Sequence, residues 1–294
     1  MHYKPTLSRQ AFLIINLVVL GGLGIICVLP IIHILAVSFS SNAAATGGLV
    51  KFWPVGFNLR SYEYVMSSGR FFNSLGITMQ RVLLGGLVNM VLTLITAYPL
   101  SKESDRFKPR SLYAWFFFVT ILFSGGLIPL FMVVRETGIM GTIWALILPG
   151  AVPVFNIILM LNFFRALPRE MEEAAFIDGA GHLSTLFRVF VPLALPAIAT
   201  ISLLTIVAHW NSWFDGLIFM NSPDSYPLQS YLQTIVIQQD FSQMTEQELK
   251  NMRLISDRTI KSSQIFLGAL PVLCLYPFLQ KYFVSGITLG SVKE

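Results

Sequence analysis

Charge is scarce in this chain. Only 12% of its 294 residues are Asp, Glu, Lys or Arg, whereas soluble domains carry about 25%. Hydrophobic residues make up 54% of the sequence, and its mean hydropathy is +0.68. This composition excludes an ordinary soluble domain and indicates a chain whose solvent is largely lipid.

Cysteine and catalytic motifs are equally scarce. Cys27 and Cys274 each lie inside an apolar run without a metal-like neighbour, which predicts small buried hydrophobic residues. The sequence has no Gly-x-x-x-x-Gly-Lys-Ser/Thr run, no His-Glu-x-x-His and no Gly-x-Ser-x-Gly. We therefore expect no catalytic residue, metal or cofactor in this chain. The net charge of +5 comes without a basic patch interleaved with aromatics, so nucleic-acid binding is not expected.

Long apolar runs are what the sequence does have. Each is long enough to cross a bilayer, and continuous runs of this length are typical of helices rather than of barrel strands. We predict an all-α integral membrane protein with six transmembrane helices in a single domain, residues 1–294. The predicted spans are about 11–39, 72–100, 112–134, 142–164, 190–217 and 265–284. The first run is about twice as long as a signal-peptide core, so it is expected to be a retained span.

Basic residues predict the orientation of these spans. With the N-terminus in the cytoplasm, eleven Lys and Arg residues fall on the cytoplasmic side and four in the short outer loops. Cytoplasmic loops carry such an excess, so both termini are expected to be cytoplasmic. The same orientation puts the polar island 173–192, between the fourth and fifth spans, in the cytoplasm.

This polar island has the features of a helical hairpin. Pro168 suits the first turn of a helix, and Glu170 and Glu172 lie where negative charge favours the helix dipole. Gly179 tolerates the left-handed conformation that ends a helix. We predict a surface helix over about 168–183. Two interpretations stay open: the helix docks on a partner protein, or it packs on its own bundle.

The island also resembles the cytoplasmic coupling motif of ABC importer permeases, in which Glu-Ala-Ala precedes a Gly and then an Ile-x-Leu-Pro sequence. The matching residues are Glu173, Ala174, Ala175, Gly179 and Pro192. Val189 and Val191 replace the usual Ile and Leu and keep the apolar character. Further stretches are similar to the second permease of maltose-type sugar importers, in the branch for oligo- and polysaccharide uptake: 125–129, 144–149 and 276–293.

The resemblance implies a role and a set of partners. It implies a permease of the bacterial cytoplasmic (inner) membrane that works with a second homologous permease, an ABC ATPase dimer that binds ATP and Mg, and an extracytoplasmic solute-binding protein. The substrate would be an oligo- or polysaccharide, with an acidic glycan such as alginate among the candidates. The expected ATPase-coupling residues are Glu173, Ala174, Ala175, Phe176, Ile177, Asp178, Gly179 and Pro192. Residues 281–293 are a second expected ATPase contact.

Polar and aromatic groups within the predicted spans are candidates for a substrate path, because such groups are costly in lipid and face a cavity or the bundle interior. They are Asn156, Asn162, His209, Trp210, Asn211, Trp213 and Asp215. Interhelical hydrogen bonding and an interfacial aromatic belt are the alternative roles. Arg81, in the second span, either reaches the interface or pairs across the bundle.

Two other classes of protein compete with this interpretation. An ion- or proton-coupled secondary transporter would show inverted repeats and broken helices at mid-membrane, and no repeat is visible. A membrane-embedded enzyme would need a catalytic constellation, which the sequence lacks.

Overall fold

A computed structural model describes residues 7–237 and 257–291. Within these two ranges all regular structure is helical and no strand occurs. Short 3₁₀ turns cover Leu148–Gly150 and Pro223–Ser225, and a π turn covers Leu186–Phe190. The α-helices are α1 (Leu7–Ser38), α2 (Asn42–Thr46), α3 (Arg60–Ser67), α4 (Gly69–Ser101), α5 (Arg110–Leu122), α6 (Leu127–Glu136), α7 (Ile143–Ile147), α8 (Val154–Ala166), α9 (Arg169–Ile177), α10 (His182–Thr185), α11 (Val191–Leu193), α12 (Leu195–Asn211), α13 (Phe214–Phe219), α14 (Leu228–Ile237) and α15 (Asp257–Ser291).

Helices occupy all six predicted spans, but three of the spans are bent. Helices α1 and α4 are each long and apolar enough to cross a membrane by themselves. Helices α5 and α6 meet at 115°, α7 and α8 at 51°, and the helical run 182–193 meets α12 at 84°. Helix α15 covers the sixth span.

The bends have identifiable local causes. Gly126 precedes α6 with a φ of 88°, which favours glycine. Pro153 precedes α8, and Pro196 lies in the first turn of α12. Proline lacks the backbone N–H and is tolerated at the start of a helix but not in its interior, so a new helix begins at each of these positions. The predicted runs 112–134, 142–164 and 190–217 are therefore each two helices or more.

One compact unit comprises residues 1–69 and 234–270. Its small core joins the end of α1 to α2 through Val37, Ala45 and Val50. The Ser38 hydroxyl lies 2.7 Å from the Tyr62 hydroxyl, which anchors α3. Most of α1 has exposed apolar side chains. Cys27 is among the exposed residues, so the prediction that it is buried was wrong; a side chain that faces lipid needs no protein cover.

The second unit comprises residues 70–233 and 271–294. Its main core packs α4 against α8 and the 186–201 segment, with Met160, Leu186 and Ile201 nearly inaccessible. A second cluster joins α6, α7 and α13 around Val134, Ala145 and Phe219. Cys274 in this unit is exposed as well, again contrary to the prediction from its apolar neighbours.

Candidate coupling site

Helix α9 forms the centre of the polar island. It follows Pro168 and carries Glu170 and Glu172 in its first turn. At its end, Gly179 has a φ of 79°, and its N–H donates to the Phe176 carbonyl at 3.0 Å. The Ala180 N–H donates to the Ala175 carbonyl at 2.9 Å. This pair of bonds is a Schellman motif. The chain then turns and α10 begins at His182, so the predicted helix 168–183 is a hairpin.

Glu172 attaches this hairpin to the end of α4. Its carboxylate lies 2.7 Å from the Lys102 ammonium and 3.7 Å from the Arg106 guanidinium. The Tyr98 hydroxyl donates to the same carboxylate at 3.3 Å. Glu172 is 7% exposed, and a buried carboxylate is stable only when it is paired and hydrogen-bonded in this way.

Lys102 is held over two aromatic rings. Its ammonium lies 3.8 Å from the ring centroid of Tyr98 and 4.2 Å from that of Phe190, distances at which a cation is attracted to the ring face. Burial lowers the pKa of Lys102 from its ordinary value of 10.5, and the hydrogen bond and charge of Glu172 oppose that change. The carboxylate of Glu172 therefore stabilises the charged form of this half-buried amine.

An aromatic triad continues from this ion pair into the bundle. The rings of Tyr98, Phe164 and Phe190 contact each other edge to face, with centroids 5.1 to 6.5 Å apart. Such contacts are directional as well as apolar. Because the three residues belong to α4, α8 and the π turn, a displacement of α9 at Glu172 reaches three helical segments through a packed path.

Apolar side chains on either side of the turn of the hairpin are exposed. Ile177, at the end of α9, is 85% exposed, and Leu183, in α10, is 67% exposed. We call these two residues the hairpin face. Phe176 instead packs on the His182 ring inside the hairpin, with centroids 5.2 Å apart. Of the two large apolar residues in the predicted coupling set, Phe176 and Ile177, the more accessible is therefore Ile177.

The other residues of the coupling prediction surround this face. Glu173 is half-exposed and lies 3.0 Å from the Arg106 guanidinium. Ala174 is exposed, whereas Ala175 faces inward beside Glu172. Asp178 is the C-terminal cap of α9. Pro192 lies in α11, directly after the π turn.

A second ionic cluster lies within the bundle, around Arg81. All five N–H groups of this guanidinium have acceptors: two on the Asp215 carboxylate, the Ser212 and Leu146 carbonyls at 3.4 and 3.3 Å, and His209 Nδ1 at 3.4 Å. The side chain of Arg81 is 4% exposed. Of the two roles considered for Arg81, the structure therefore selects pairing across the bundle.

The substrate-path candidates divide into separate groups. His209 and Asp215 bind Arg81, and Gly85 packs so closely on His209 that an added Cβ would meet its ring at 2.6 Å. Asn156 donates to the Thr205 hydroxyl at 3.1 Å, joining α8 to α12. Of the remaining four, Trp210 is buried, and Asn162, Asn211 and Trp213 are exposed. The geometry favours interhelical bonding for Asn156 and a structural ion pair for Asp215.

Sequence reasoning missed two residues that matter most in these clusters: Glu172 as an inward-facing carboxylate, and Lys102 as its partner. Glu172 and Ala175 are three residues apart and so share one face of α9, which is the signal that could have identified Glu172 as inward-facing. No local sequence pattern predicts that Glu172 forms an ion pair with Lys102.

The described residues form an all-helical bundle with helices long and apolar enough to cross a membrane, and with a polar hairpin tied to the bundle by ion pairs. This architecture is that of an integral membrane protein. Residues 10–289 match the sequence profile of the family described as "Binding-protein-dependent transport system inner membrane component". The chain belongs to this family and is a permease subunit of an ABC importer with the type I fold.

Individual relatives agree with this assignment. Protein LplC of Bacillus subtilis (strain 168) is 38% identical over 288 residues, which are 98% of this chain and 97% of that protein. The polygalacturonan/rhamnogalacturonan transport system permease protein YtcP of the same organism is 38% identical over 269 residues, 92% of this chain and 93% of that protein.

A solved structure agrees as well. The chain is similar, with a TM-score of 0.88 and 32% identity, to a chain in the crystal structure of a bacterial ABC transporter involved in the import of the acidic polysaccharide alginate. The alignment covers 96% of this chain and all of that one. Family and fold together favour the importer over a secondary transporter.

Proposed function

We propose that this permease imports an oligo- or polysaccharide and that the hairpin face receives the conformational change of a partner ATPase dimer. The observation that carries the proposal is the combination of an exposed apolar surface with a buried ionic attachment directly behind it. Ile177 offers the anchor, and Glu172 joins the same helix to Lys102 at the end of α4. Compact interfaces concentrate their energy in such anchors.

The mechanism follows from this connection. ATP and Mg²⁺ bind to the ATPase dimer, and closure of the dimer moves the hairpin face. The buried pair of Glu172 and Lys102 transmits this displacement to α4, and the aromatic triad transmits it to α8 and the π turn. The bundle then switches between inward and outward access as a rigid-body transition, driven by contacts that differ between two states.

Orientation and partners complete the proposal. The excess of basic residues beside the hairpin supports a cytoplasmic position for the hairpin and for both termini. A second, homologous permease would complete the translocation path. An extracytoplasmic solute-binding protein would deliver the glycan to the outer loops, which include 221–263. Residues 238–256 of this loop lie outside the described ranges. The side chains of residues 281–293, the second expected ATPase contact, also lie outside what the structure describes.

The glycan class is supported by what related proteins are named for. One relative is named for polygalacturonan/rhamnogalacturonan transport, and the similar solved structure is of a transporter that imports the acidic polysaccharide alginate. Acidic oligo- and polysaccharides are therefore the first class to test, with neutral glycans as the comparison. Within the described bundle, Arg81 is saturated by protein acceptors, so a carboxylate of the substrate would be bound elsewhere on the path, in this subunit or in its partner.

The test is glycan-stimulated ATP hydrolysis by the complete complex. This chain would be purified with its companion permease and ATPases, reconstituted in lipid with the binding protein, and assayed against acidic and neutral glycans. We expect one class to stimulate hydrolysis, and Ile177→Asp to reduce the stimulation about tenfold or more, because a charge on the anchor removes an interface hot spot worth about 2 kcal/mol.

Asp105→Asn is the matched control, because Asp105 is exposed in the loop between α4 and α5 and lies off the hairpin face. Full stimulation in this control and its loss in Ile177→Asp would support the proposal. Equal stimulation in both variants would show that the hairpin face is not the ATPase contact, and stimulation by no glycan would overturn the substrate class.

A further inference from the structure

A cavity of about 330 Å³ lies beside the hairpin and carries more positive than negative charge. It is enclosed by the ends of α4 and α8, the starts of α5 and α9, and Phe190. Two acidic residues, Glu103 and Glu172, line it, against five basic ones. The basic residues are Lys102, Arg106, Arg110, Arg165 and Arg169.

Three of these cations are neutralised within the chain. Lys102 pairs with Glu172 at 2.7 Å, and Arg106 pairs with Glu172 and Glu173. Arg169 pairs with Glu103. The carboxylates that line the cavity are therefore already engaged, and they leave the remaining positive charge uncompensated.

Arg110 and Arg165 are the two cations that remain. The Arg165 guanidinium donates to the Leu100 carbonyl at 3.2 Å, which leaves most of its N–H groups available. The Arg110 guanidinium has no hydrogen bond or ion pair within residues 7–237 and 257–291. The positive charges of Arg110 and Arg165 also repel each other. Arginine binds phosphate through paired N–H···O bonds, and two unneutralised guanidinium groups line this one cavity.

Arg110 lies at the end of a helix where a positive charge is unfavourable. Arg110 is the first residue of α5, and neither a side-chain cap nor an acidic residue accompanies it in the first turn. A cation at this end of a helix opposes the helix dipole. An anion bound between Arg110 and Arg165 would compensate both the dipole and the repulsion between the two side chains.

The surroundings point to a lipid as the source of that anion. Helix α5 continues from Arg110 with the exposed apolar side chains Leu112, Tyr113 and Phe116, a surface suited to an acyl chain. The cavity lies where the predicted spans 72–100 and 142–164 end, and the ends of membrane spans are where lipid headgroups are expected. Basic pockets at the cytoplasmic ends of membrane helices are known to bind anionic headgroups.

We propose that this cavity binds a phosphate group, held by Arg110 and Arg165, and that an anionic phospholipid supplies it. The regulatory part of the proposal rests on the proposed function: because Arg106 lines the cavity and binds Glu172 and Glu173, a bound phosphate would change the attachment of the hairpin. The binding itself does not depend on ATPase coupling.

The test measures lipid retention by native mass spectrometry of the complete complex, without nucleotide or glycan. Nanodiscs of phosphatidylcholine are compared with nanodiscs that also contain phosphatidylglycerol. We expect wild-type complex to retain phosphatidylglycerol and R110Q/R165Q to lose about tenfold or more of its affinity, because charge-assisted hydrogen bonds are lost. K108Q, an exposed cation outside the cavity, should retain the lipid as wild type does.

Further arms identify the source of the phosphate. Glycerol 3-phosphate added to complexes in phosphatidylcholine alone, if retained by wild type and lost by R110Q/R165Q, would support the phosphate site but assign it to a soluble ligand. Equal retention of phosphatidylglycerol by R110Q/R165Q and K108Q would overturn the site. Retention by the permease pair that vanishes when the ATPases are bound would also overturn it, because an acidic ATPase side chain would then fill the cavity.

The readouts separate this proposal from the proposed function. Ile177→Asp alters the hairpin face but not the cavity, so it should uncouple ATP hydrolysis and leave lipid retention unchanged. R110K/R165K keeps the charge without the planar guanidinium and should restore part of the retention, which distinguishes a lost ligand from a misfolded variant.

Discussion

Two buried ion pairs in this permease have opposite surroundings. Arg81 and Asp215 lie within the bundle, where protein atoms accept all five guanidinium N–H groups. Lys102 and Glu172 lie beneath an exposed apolar hairpin and beside a cationic cavity. A saturated pair can only fix the arrangement of the helices around it. A pair that joins a surface helix to the end of a span can also transmit a displacement.

The comparison separates stability from transport. Loss of one partner of the inner pair should destabilise the bundle, and loss of one partner of the outer pair should leave a folded permease that responds poorly to its ATPases. Variants of the two pairs therefore test whether the difference in surroundings corresponds to a difference in function.

Arg81→Ala should have the largest effect. It leaves the partly buried Asp215 without its cation and three other acceptors without a donor. Removing one partner of a buried pair costs about 3–5 kcal/mol. Thermal unfolding of the purified complex in detergent measures the loss. The double variant R81M/D215L should be less destabilised than Arg81→Ala, because replacing both charges removes the uncompensated one. A double variant at least as unstable as the single one would contradict a structural role for the pair.

Glu172→Gln should have a smaller effect on unfolding, about 1–3 kcal/mol, because Lys102 keeps a hydrogen-bond acceptor but loses the opposite charge. Glu173→Gln, one residue away and half-exposed, should cost less than about 1 kcal/mol, as exposed ion pairs do. The same thermal unfolding assay compares the two variants. Equal losses would show that burial does not distinguish these neighbouring carboxylates.

Gly179→Ala tests the end of α9. Gly179 has a φ of 79°, and an alanine in this left-handed conformation costs about 1–2 kcal/mol. Gly181→Ala is the matched control, since Gly181 has a φ of −78° and both positions have open space for a Cβ. Glycan-stimulated ATP hydrolysis should fall in Gly179→Ala alone. Loss in both variants would indicate that the hairpin is sensitive to side-chain size rather than to the backbone turn.

Lys102 should give a small effect that depends on pH. Its pKa is lowered by burial, so between that lowered pKa and 10.5 the unfolded chain binds more protons than the folded chain. Stability from this group must therefore rise with pH in that window. Glu172, Arg106 and Tyr98 are the polar groups that face it. The unfolding temperature of wild type minus that of Lys102→Met should therefore increase with pH across this window. A flat difference would mean that Lys102 is solvated in the folded protein.

Local sequence predicted the helices and the hairpin well. Apolar length identified the six helical regions, and Pro168 and Gly179 marked the two ends of the surface helix. The bends were harder to predict. The sequence shows Pro153, Pro196 and Gly126, but hydropathy is averaged over a whole apolar run and does not register single residues. The exposure of the two cysteines was missed because, in a soluble protein, an apolar sequence neighbourhood indicates a buried side chain. In a membrane protein the same side chain can face lipid.

The candidate sites show where local reasoning ends. Arg81 and Asp215 are 134 residues apart, and Lys102 and Glu172 are 70 apart, so only the packing of the bundle brings them together. Asn156 and Asn162 were predicted together, yet six helical residues separate them by roughly 240° around α8. Asn156 faces Thr205 and Asn162 is exposed.

Glycan transported per ATP hydrolysed, in proteoliposomes with the complete importer, tests most directly whether the pair of Glu172 and Lys102 transmits the ATPase movement. Glu172→Gln should hydrolyse ATP but transport fewer glycan molecules per ATP, whereas Asp105→Asn, an exposed acid in the adjacent loop, should keep the wild-type ratio. The same ratio in wild type and Glu172→Gln would contradict the account, because the hairpin would then drive the bundle without its buried attachment.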